Sequence, residues 1–302
     1  MVVTAYNEEK SIGPLLEDLA RQEIPPEIED REIIVVASGC TDRTVDVVKK
    51  QIETNQKISL IEEEKRSGKA AALNKAFETS CGDYIALVPA DVLLGKNAMY
   101  NLLVQFRDNK VSAVSGRPIQ SPVKAPKGFL GYLSNMTYRL WGRLMQRLND
   151  KGEMGHCSGE FMAIRSNIKT AIPHECAADD SYIAIVAKRR GVIKFATDAI
   201  CYNLRPSNLT DYINQRKRWL YGHLQTKQMT GEYPTVLDTI VLSKPSVAFQ
   251  VLAEEISENP KDVGYLASAI VVEALIYMFS LLDRLFSRNY GVWPVIRSTK
   301  FS

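Results

Sequence analysis

The residues most able to do chemistry stand in four short clusters, each directly after a β-branched run. The first is Thr4-Ala5-Tyr6-Asn7-Glu8-Glu9 and the second Ala37-Ser38-Gly39-Cys40-Thr41-Asp42. The third is Lys65-Arg66-Ser67-Gly68-Lys69 and the fourth Pro89-Ala90-Asp91. Together they supply cations, hydroxyls, a glycine turn and carboxylates. Cations beside a helix N-terminus suit a phosphorylated ligand, because both favour anionic oxygen. A carboxylate at a strand end suits a hard divalent cation held on that phosphate. Singly, each cluster is weak. Gly68-Lys69 does not have the P-loop spacing, and a lone aspartate after a strand is most often a cap or turn residue. Four in succession, each at a strand end, are much harder to ascribe to chance.

These clusters share a site only if the chain brings the strand ends to one rim, and its periodicity predicts this. β-Branched runs at residues 1–3, 32–36, 58–61, 84–88 and 111–115 alternate with amphipathic stretches at 11–22, 41–54, 67–78 and 96–106. One βα unit per roughly 25 to 30 residues is the spacing of a mainly parallel sheet. Open sheets of this kind bind ligands outside the carboxyl ends of their strands. Ser11 and Thr41 are the expected helix caps. The first run is short for a strand, as if residues usually supplied upstream were missing.

The prolines of residues 118–128 predict an extended connection, followed by a helix over 129–149. Leu130, Leu133, Leu140, Trp141, Leu144 and Leu148 form its apolar stripe. Arg139, Arg143 and Arg147 recur beside that stripe. They predict either a solvated basic flank or a helix lying on lipid phosphates. Strands are expected at 160–164, 192–196 and 199–203, and helices at 180–190 and 208–229. The last begins with Asn208 as cap and Asp211 in its first turn.

Composition narrows the class. Of 302 residues, 45% are hydrophobic and 24% charged, which excludes wholesale disorder. Lys plus Arg numbers 38 against 35 for Asp plus Glu, a net charge of +3 that gives no ground for a nucleic-acid partner. The 5 cysteines are scattered without CxxC spacing, which argues against a disulfide framework or zinc site and for a reducing compartment. No basic and apolar leader is seen. Residues 263–282 are long and apolar enough to cross a bilayer, yet Glu273 sits near their middle, at a cost of about 2 kcal/mol or more in lipid. The segment is therefore either a spanning or interfacial helix, or an apolar helix packed on the domain.

With further strings added, the clusters resemble those of the family 2 glycosyltransferases. The matching strings are Ala5-Tyr6-Asn7-Glu8-Glu9, Ser38-Gly39-Cys40-Thr41-Asp42-Arg43-Thr44, residues 66–74, Pro89-Ala90-Asp91, Ala178-Asp179-Asp180 and Gln215-Arg216-Lys217-Arg218-Trp219. The most specific is Gln-x-x-Arg-Trp, placed well after the acidic pair. The resemblance covers roughly the first three quarters of the chain. It implies a GT-A nucleotide-sugar-binding α/β fold over residues 1–232, with a C-terminal helical region at 233–302. It further implies that Tyr6, Asn7 and Glu8 line the nucleotide pocket, with Asp42 and the Lys65, Gly68 and Lys69 loop beside base, ribose and diphosphate. Asp91 would hold a divalent metal, manganese or magnesium. Asp180, with Asp179 beside it, would be the general base, and Gln215, Arg218 and Trp219 would border acceptor and diphosphate. The implied partners are a nucleotide-diphosphate sugar and a glycan or lipid-linked acceptor at the cytoplasmic face of the cell membrane.

The chemistry agrees with those roles. Inverting transfer needs in-line attack by an alcohol, which a carboxylate must first relieve of its proton. The departing diphosphate needs cationic stabilisation. Close like charges would raise the pKa of one of the two aspartates; the plainer reading has the pair simply opening a helix. Trp219 is either a sugar platform or core, and His156, His174 and His223 are too dispersed to define a site by spacing.

Two departures stand out. Pro89 replaces the first acid of the family's Asp-x-Asp, which weakens the case for a metal. Ala37 and Ser38 stand where acids often precede the glycine, so the nucleobase is not assigned. Two rival readings follow. A nucleotide-sugar-forming nucleotidyltransferase would need a basic glycine-rich loop where Asn7-Glu8-Glu9 stands. A non-catalytic nucleotide-sugar-binding module would explain the degraded metal motif.

Overall fold

The computed structural model describes residues 1–123, 125–285, 292 and 296–300. Strands β1 (Val2–Ala5), β2 (Ile33–Ser38), β3 (Ile58–Glu63) and β4 (Tyr84–Pro89) pair in parallel in the order β3-β2-β1-β4. All six residues of β2 are buried, because helices cover both faces of this half-sheet. On one face, Val3 and Val35 meet Leu15, Leu16 and Leu19 of α1 (Ile12–Arg21). On the other, Ile34 and Val36 meet Leu73 and Phe77 of α3 (Lys69–Thr79).

The second half of the sheet breaks the parallel pattern. It contains β5 (Val92–Leu94), β6 (Val111–Gln120), β7 (Met162–Arg165) and β8 (Val192–Asn203), and the full order is β3-β2-β1-β4-β7-β6-β8-β5. β7 lies antiparallel between β4 and β6, and β5 lies antiparallel to β8, so the sheet is mixed. Where two strands were expected over 192–203 there is one. Its register with β6 jumps between Ser115↔Phe195 and Arg117↔Ile200, and the bulge absorbs the residues that read as a break. β6 likewise runs on through Pro118 to Gln120, shortening the expected connection.

Two predicted caps are corrected. α2 (Thr44–Thr54) starts later than Thr41, whose N–H donates to Asn7 Oδ1 at 2.8 Å. Arg43 stands at the N-cap position instead, and Asp42 before it accepts from the Thr44 N–H at 3.0 Å. Ser11 does precede α1, but its hydroxyl donates to the Glu8 carboxylate at 2.8 Å.

α4 (Ala98–Leu103) and α6 (Asp179–Lys188) flank the sheet, and α5 (Gly128–Asp150) buries Leu133, Leu144 and Leu148 of its predicted stripe. Its arginines are neither a solvated flank nor lipid contacts. They face α9 (Pro245–Glu258), where Arg139 meets Glu255 at 2.5 Å, Arg143 meets Glu258 at 2.5 Å and Arg147 pairs with Glu254. α7 (Leu209–Thr230) begins at the expected Asn208 cap, which accepts from the Asp211 N–H at 2.9 Å. Ile240 of α8 (Leu237–Ser243) and Val247 and Val251 of α9 join the core beneath the sheet, so these two helices are packed onto the α/β body.

α10 (Val263–Leu285) packs Leu266, Ala269 and Ile276 against Tyr212 and Leu220 of α7. Glu273, the acid within the apolar run, accepts from Tyr212 Oη at 2.6 Å and from Arg216 Nε at 3.0 Å. Only one side is covered: Ile270, Val271, Leu275 and Phe279 are 44–60% exposed. α10 is therefore docked along one face and bare and apolar along the other.

Candidate active site

The parallel strands end on one rim, as the alternation requires. Gly68, at φ +90°, turns the chain out of β3 into α3. Lys69 opens that helix and reaches across to Asp179 Oδ2 at 3.0 Å and to Gly159 O at 3.2 Å. Two cavities meet here. A strand-end cavity of about 210 Å³ is lined by Tyr6, Glu8, Gly68, Lys69, Asp91 and Arg218 among others. An inner cavity of about 220 Å³ is lined by Asp179, Asp180, Trp219, His156 and His223 among others. Lys69, Asp91, Gln215 and Arg218 border both, so the two are adjoining halves of one crevice.

The acidic pair is electrostatically split. Burial pushes the Asp179 carboxyl above its ordinary value, against the pull of Lys69. Asp180 is held below its ordinary value: burial opposes its charge, and His156 and Lys69 outweigh that penalty. Asp180 also accepts from the Ser181 N–H at 2.7 Å and the Gly159 N–H at 3.0 Å. The raised pKa expected of one member thus falls on Asp179, and Asp180 is shifted the other way. A Cβ on residue 159 would stand 2.7 Å from Asp180 Oδ2, so glycine there allows the close approach.

Gln215, Arg218 and Trp219 lie at i, i+3 and i+4 on α7 and all border the inner cavity. Burial brings Arg218 down to about 10, which leaves it cationic at neutral pH. Arg216, between them, instead holds the helix layer together. It pairs with Asp238 at 2.7 Å and Glu273 at 2.9 Å, while His223 Nδ1 lies 2.9 Å from Asp238.

In the strand-end cavity, Glu8 is pushed up to about 7, first by burial and then by the charge of Asp91, against Lys300. Asp91 has no hydrogen-bond or ion-pair partner among the described residues, which leaves its oxygens free for a ligand. No cluster of three His, Cys, Asp or Glu that could hold a metal occurs among the described residues. A metal here would be held by Asp91 together with oxygens of a bound phosphate, a donor set that suits magnesium or manganese.

Of the residues singled out from sequence, Asn7, Asp42 and Lys65 do not line the crevice. The Asn7 amide is engaged with Thr41, and Asp42 is taken by Thr44 and the Glu9 N–H at 3.1 Å. Lys65 is exposed, and its neighbour Arg66 lines the cavity instead, 4.1 Å above the Tyr6 ring. Sequence reasoning also missed Arg205, and it read His156 and His223 as too dispersed to define a site, whereas both border the inner cavity with their rings 6.2 Å apart. It missed Thr299 and Lys300 too, and Lys300 donates to Asn7 O at 3.0 Å and Tyr6 O at 2.6 Å. None of these carries a local motif; only the fold brings them in.

Comparison with known proteins agrees with this geometry. Among curated proteins, the poly-beta-1,6-N-acetyl-D-glucosamine synthase of Staphylococcus aureus (strain COL) is 27% identical over 227 residues, covering 73% of this chain and 53% of the relative. The Staphylococcus epidermidis synthase of that name is 24% identical over 229 residues, with the same coverage. The chain spans about half the length of these relatives. Among solved structures, the mannosyltransferase PcManGT from Pyrobaculum calidifontis, in complex with GDP-Man and Mn2+, superposes with a TM-score of 0.67. The match covers 95% of this chain and 87% of that one at 21% identity, and shows that the fold is GT-A. The profile described as Glycosyl transferase family 2 matches residues 1–170, more than half of the sequence, and the chain belongs to that family.

Proposed function

We propose that the chain transfers a sugar, with inversion, from a nucleotide-diphosphate sugar to an acceptor hydroxyl. One observation carries this reading: Asp180 and the cations Lys69 and Arg218 border a single crevice with Asp91. Asp180 takes the proton of the acceptor hydroxyl as its oxygen attacks the anomeric carbon. The bond from that carbon to the diphosphate oxygen breaks, and Lys69 and Arg218 stabilise the charge left on the diphosphate. Tyr6 and Arg66 border the donor half, and the Trp219 ring borders the acceptor half, where it can stack on a sugar. Asp91 would hold a divalent metal, which when bound adds Lewis-acid stabilisation of the diphosphate. The manganese and GDP-Man named for the mannosyltransferase neighbour support this assignment. The synthase relatives and the bare apolar face of α10 support a glycan or lipid-linked acceptor at a membrane surface.

Asp180→Asn is expected to lower the transfer rate by about 10²- to 10⁴-fold while donor binding stays within a few-fold. Full activity in that variant would remove the base assignment. A thermal-shift panel of nucleoside diphosphates, with and without manganese or magnesium, reports base and metal preference together, because a ligand of the folded state raises its stability. Nucleotide binding without transfer or slow donor hydrolysis, tested across sugars, would instead mark a binding module.

A further inference from the structure

Arg205 follows β8 directly, borders the inner cavity and is only 2% exposed. Its guanidinium lies 4.7 Å from the Tyr138 ring centroid and 5.2 Å from that of Trp219. Its Nε and Nη2 have no hydrogen-bond partner among the described residues. The acid that feels its charge, Glu160, is committed elsewhere, accepting from Tyr138 Oη at 3.0 Å and Ser158 Oγ at 2.9 Å. Leaving donors of a buried cation unpaired is costly, and an anionic ligand in the cavity removes that cost. Arg205 borders the inner cavity and not the strand-end cavity, where Tyr6 and Arg66 stand.

A groove of about 480 Å³ lies between α5, α8, α9 and α10 and shares Thr137, Arg216, Leu237 and Asp238 with the inner cavity. Apart from the Tyr277 hydroxyl, its polar side chains are already paired: Arg216 with Asp238 and Glu273, and the Thr137 hydroxyl with Leu133 O at 2.8 Å. A peptide or glycan would find few hydrogen-bond partners there, whereas a hydrocarbon chain needs none. The groove is edged by Val241, Phe249 and Ile270, exposed by 59%, 73% and 50%, and Ile270 belongs to the bare face of α10. A chain lying in the groove would thus continue directly into a lipid surface.

We propose that Arg205 and this groove together hold a long-chain lipid phosphate, with the phosphate on Arg205 and the hydrocarbon between α5, α9 and α10. The proposal rests on the transferase reading and commits its acceptor to the lipid-linked class. Calorimetry with farnesyl phosphate, farnesol and inorganic phosphate tests it. Farnesyl phosphate is expected to bind about tenfold or more tighter than either half-ligand. Arg205→Gln should reduce its affinity to that of farnesol, and Arg205→Lys should restore part of the difference. The double variant Val241→Asp, Phe249→Asp should weaken both lipids by about tenfold and leave nucleotide-induced thermal shifts unchanged, which also verifies folding. A phosphate preference that survives Arg205→Gln overturns the proposal. So does displacement of farnesyl phosphate by a nucleoside diphosphate, which assigns Arg205 to the donor. Binding of a soluble oligosaccharide but not of farnesyl phosphate also overturns it, in favour of a polymer acceptor. In each of these cases normal nucleotide binding leaves the transferase reading standing; loss of nucleotide binding in the unaltered protein is what would sink that reading.

Discussion

Asp180 and Asp179 are neighbours in sequence with opposite pKa shifts, and the split comes from their surroundings: burial prevails at Asp179 despite Lys69, whereas at Asp180 the burial penalty is outweighed by His156, Lys69 and the Ser181 N–H. Two further buried groups pull stability in opposite directions over one pH window. Burial brings His156 down to about 4 from 6.5. The unfolded chain therefore takes up that proton first as pH falls, and stability rises with pH from about 4 to 6.5. Glu8 is pushed up to about 7 from 4.5. There the unfolded chain releases its proton first, so stability falls with rising pH over about 4.5 to 7. The two contributions offset in the unaltered protein. Glu8→Gln should leave a melting temperature that climbs through this window, and His156→Asn one that declines. Melting curves of parallel slope for the two variants would refute the assignment. His156 illustrates what residue-level reading cannot do, because nothing in its own neighbourhood of sequence announces Asp180 or His223 beside it.

At the scale of elements, the site depends on how closely α7 approaches the start of α6. A Cβ on residue 222 would lie 2.8 Å from Ala178 Cβ, so glycine permits the contact that sets Arg218 beside the acidic pair. Gly222→Ala is expected to destabilise the fold by about 1 to 3 kcal/mol, seen in denaturant melts, and to lower kcat more than donor affinity. The α5–α9 ion pairs are the second element-level device. Glu255 is 1% exposed and serves both Arg139 and Arg143, whose side chains are 34% and 19% exposed. Glu255→Ala should cost roughly 1 to 3 kcal/mol, less than a fully buried pair because the arginines keep some water. An unchanged melting temperature would show that α9 is held by its apolar contacts alone. The arginine spacing was legible in the sequence, but its partners lie more than a hundred residues away.

For the whole molecule, the decisive feature is a helix layer that closes the site on one side and exposes apolar side chains on the other. Glu273 is tied to Arg216 in the Gln-x-x-Arg-Trp helix, so docking of α10 and the geometry of α7 are parts of one network. The chain is expected to float with lipid vesicles. Because the α5 arginines are already paired, this binding should be largely insensitive to salt. Val271→Glu with Phe279→Glu should abolish flotation without changing nucleotide-induced thermal shifts. Salt-sensitive binding that survives those substitutions would place the lipid contact elsewhere.

Read alone, the sequence determined the βα order, the gathering of the strand-end clusters on one rim and the common helix face of Gln215, Arg218 and Trp219, while the acidic pair was singled out by the resemblance to the family. The first three are written in local periodicity or in spacing along one helix. The tertiary structure alone decided the antiparallel entry of β7, the continuity of β8 through its bulge and the partners of the α5 arginines. It also decided which of the neighbouring polar residues face the crevice: Arg66 but not Lys65, and Glu8 but not Asn7. Those outcomes depend on hydrogen bonds and charges supplied by distant segments, such as Lys300 beside Glu8, and no window of neighbouring residues contains them.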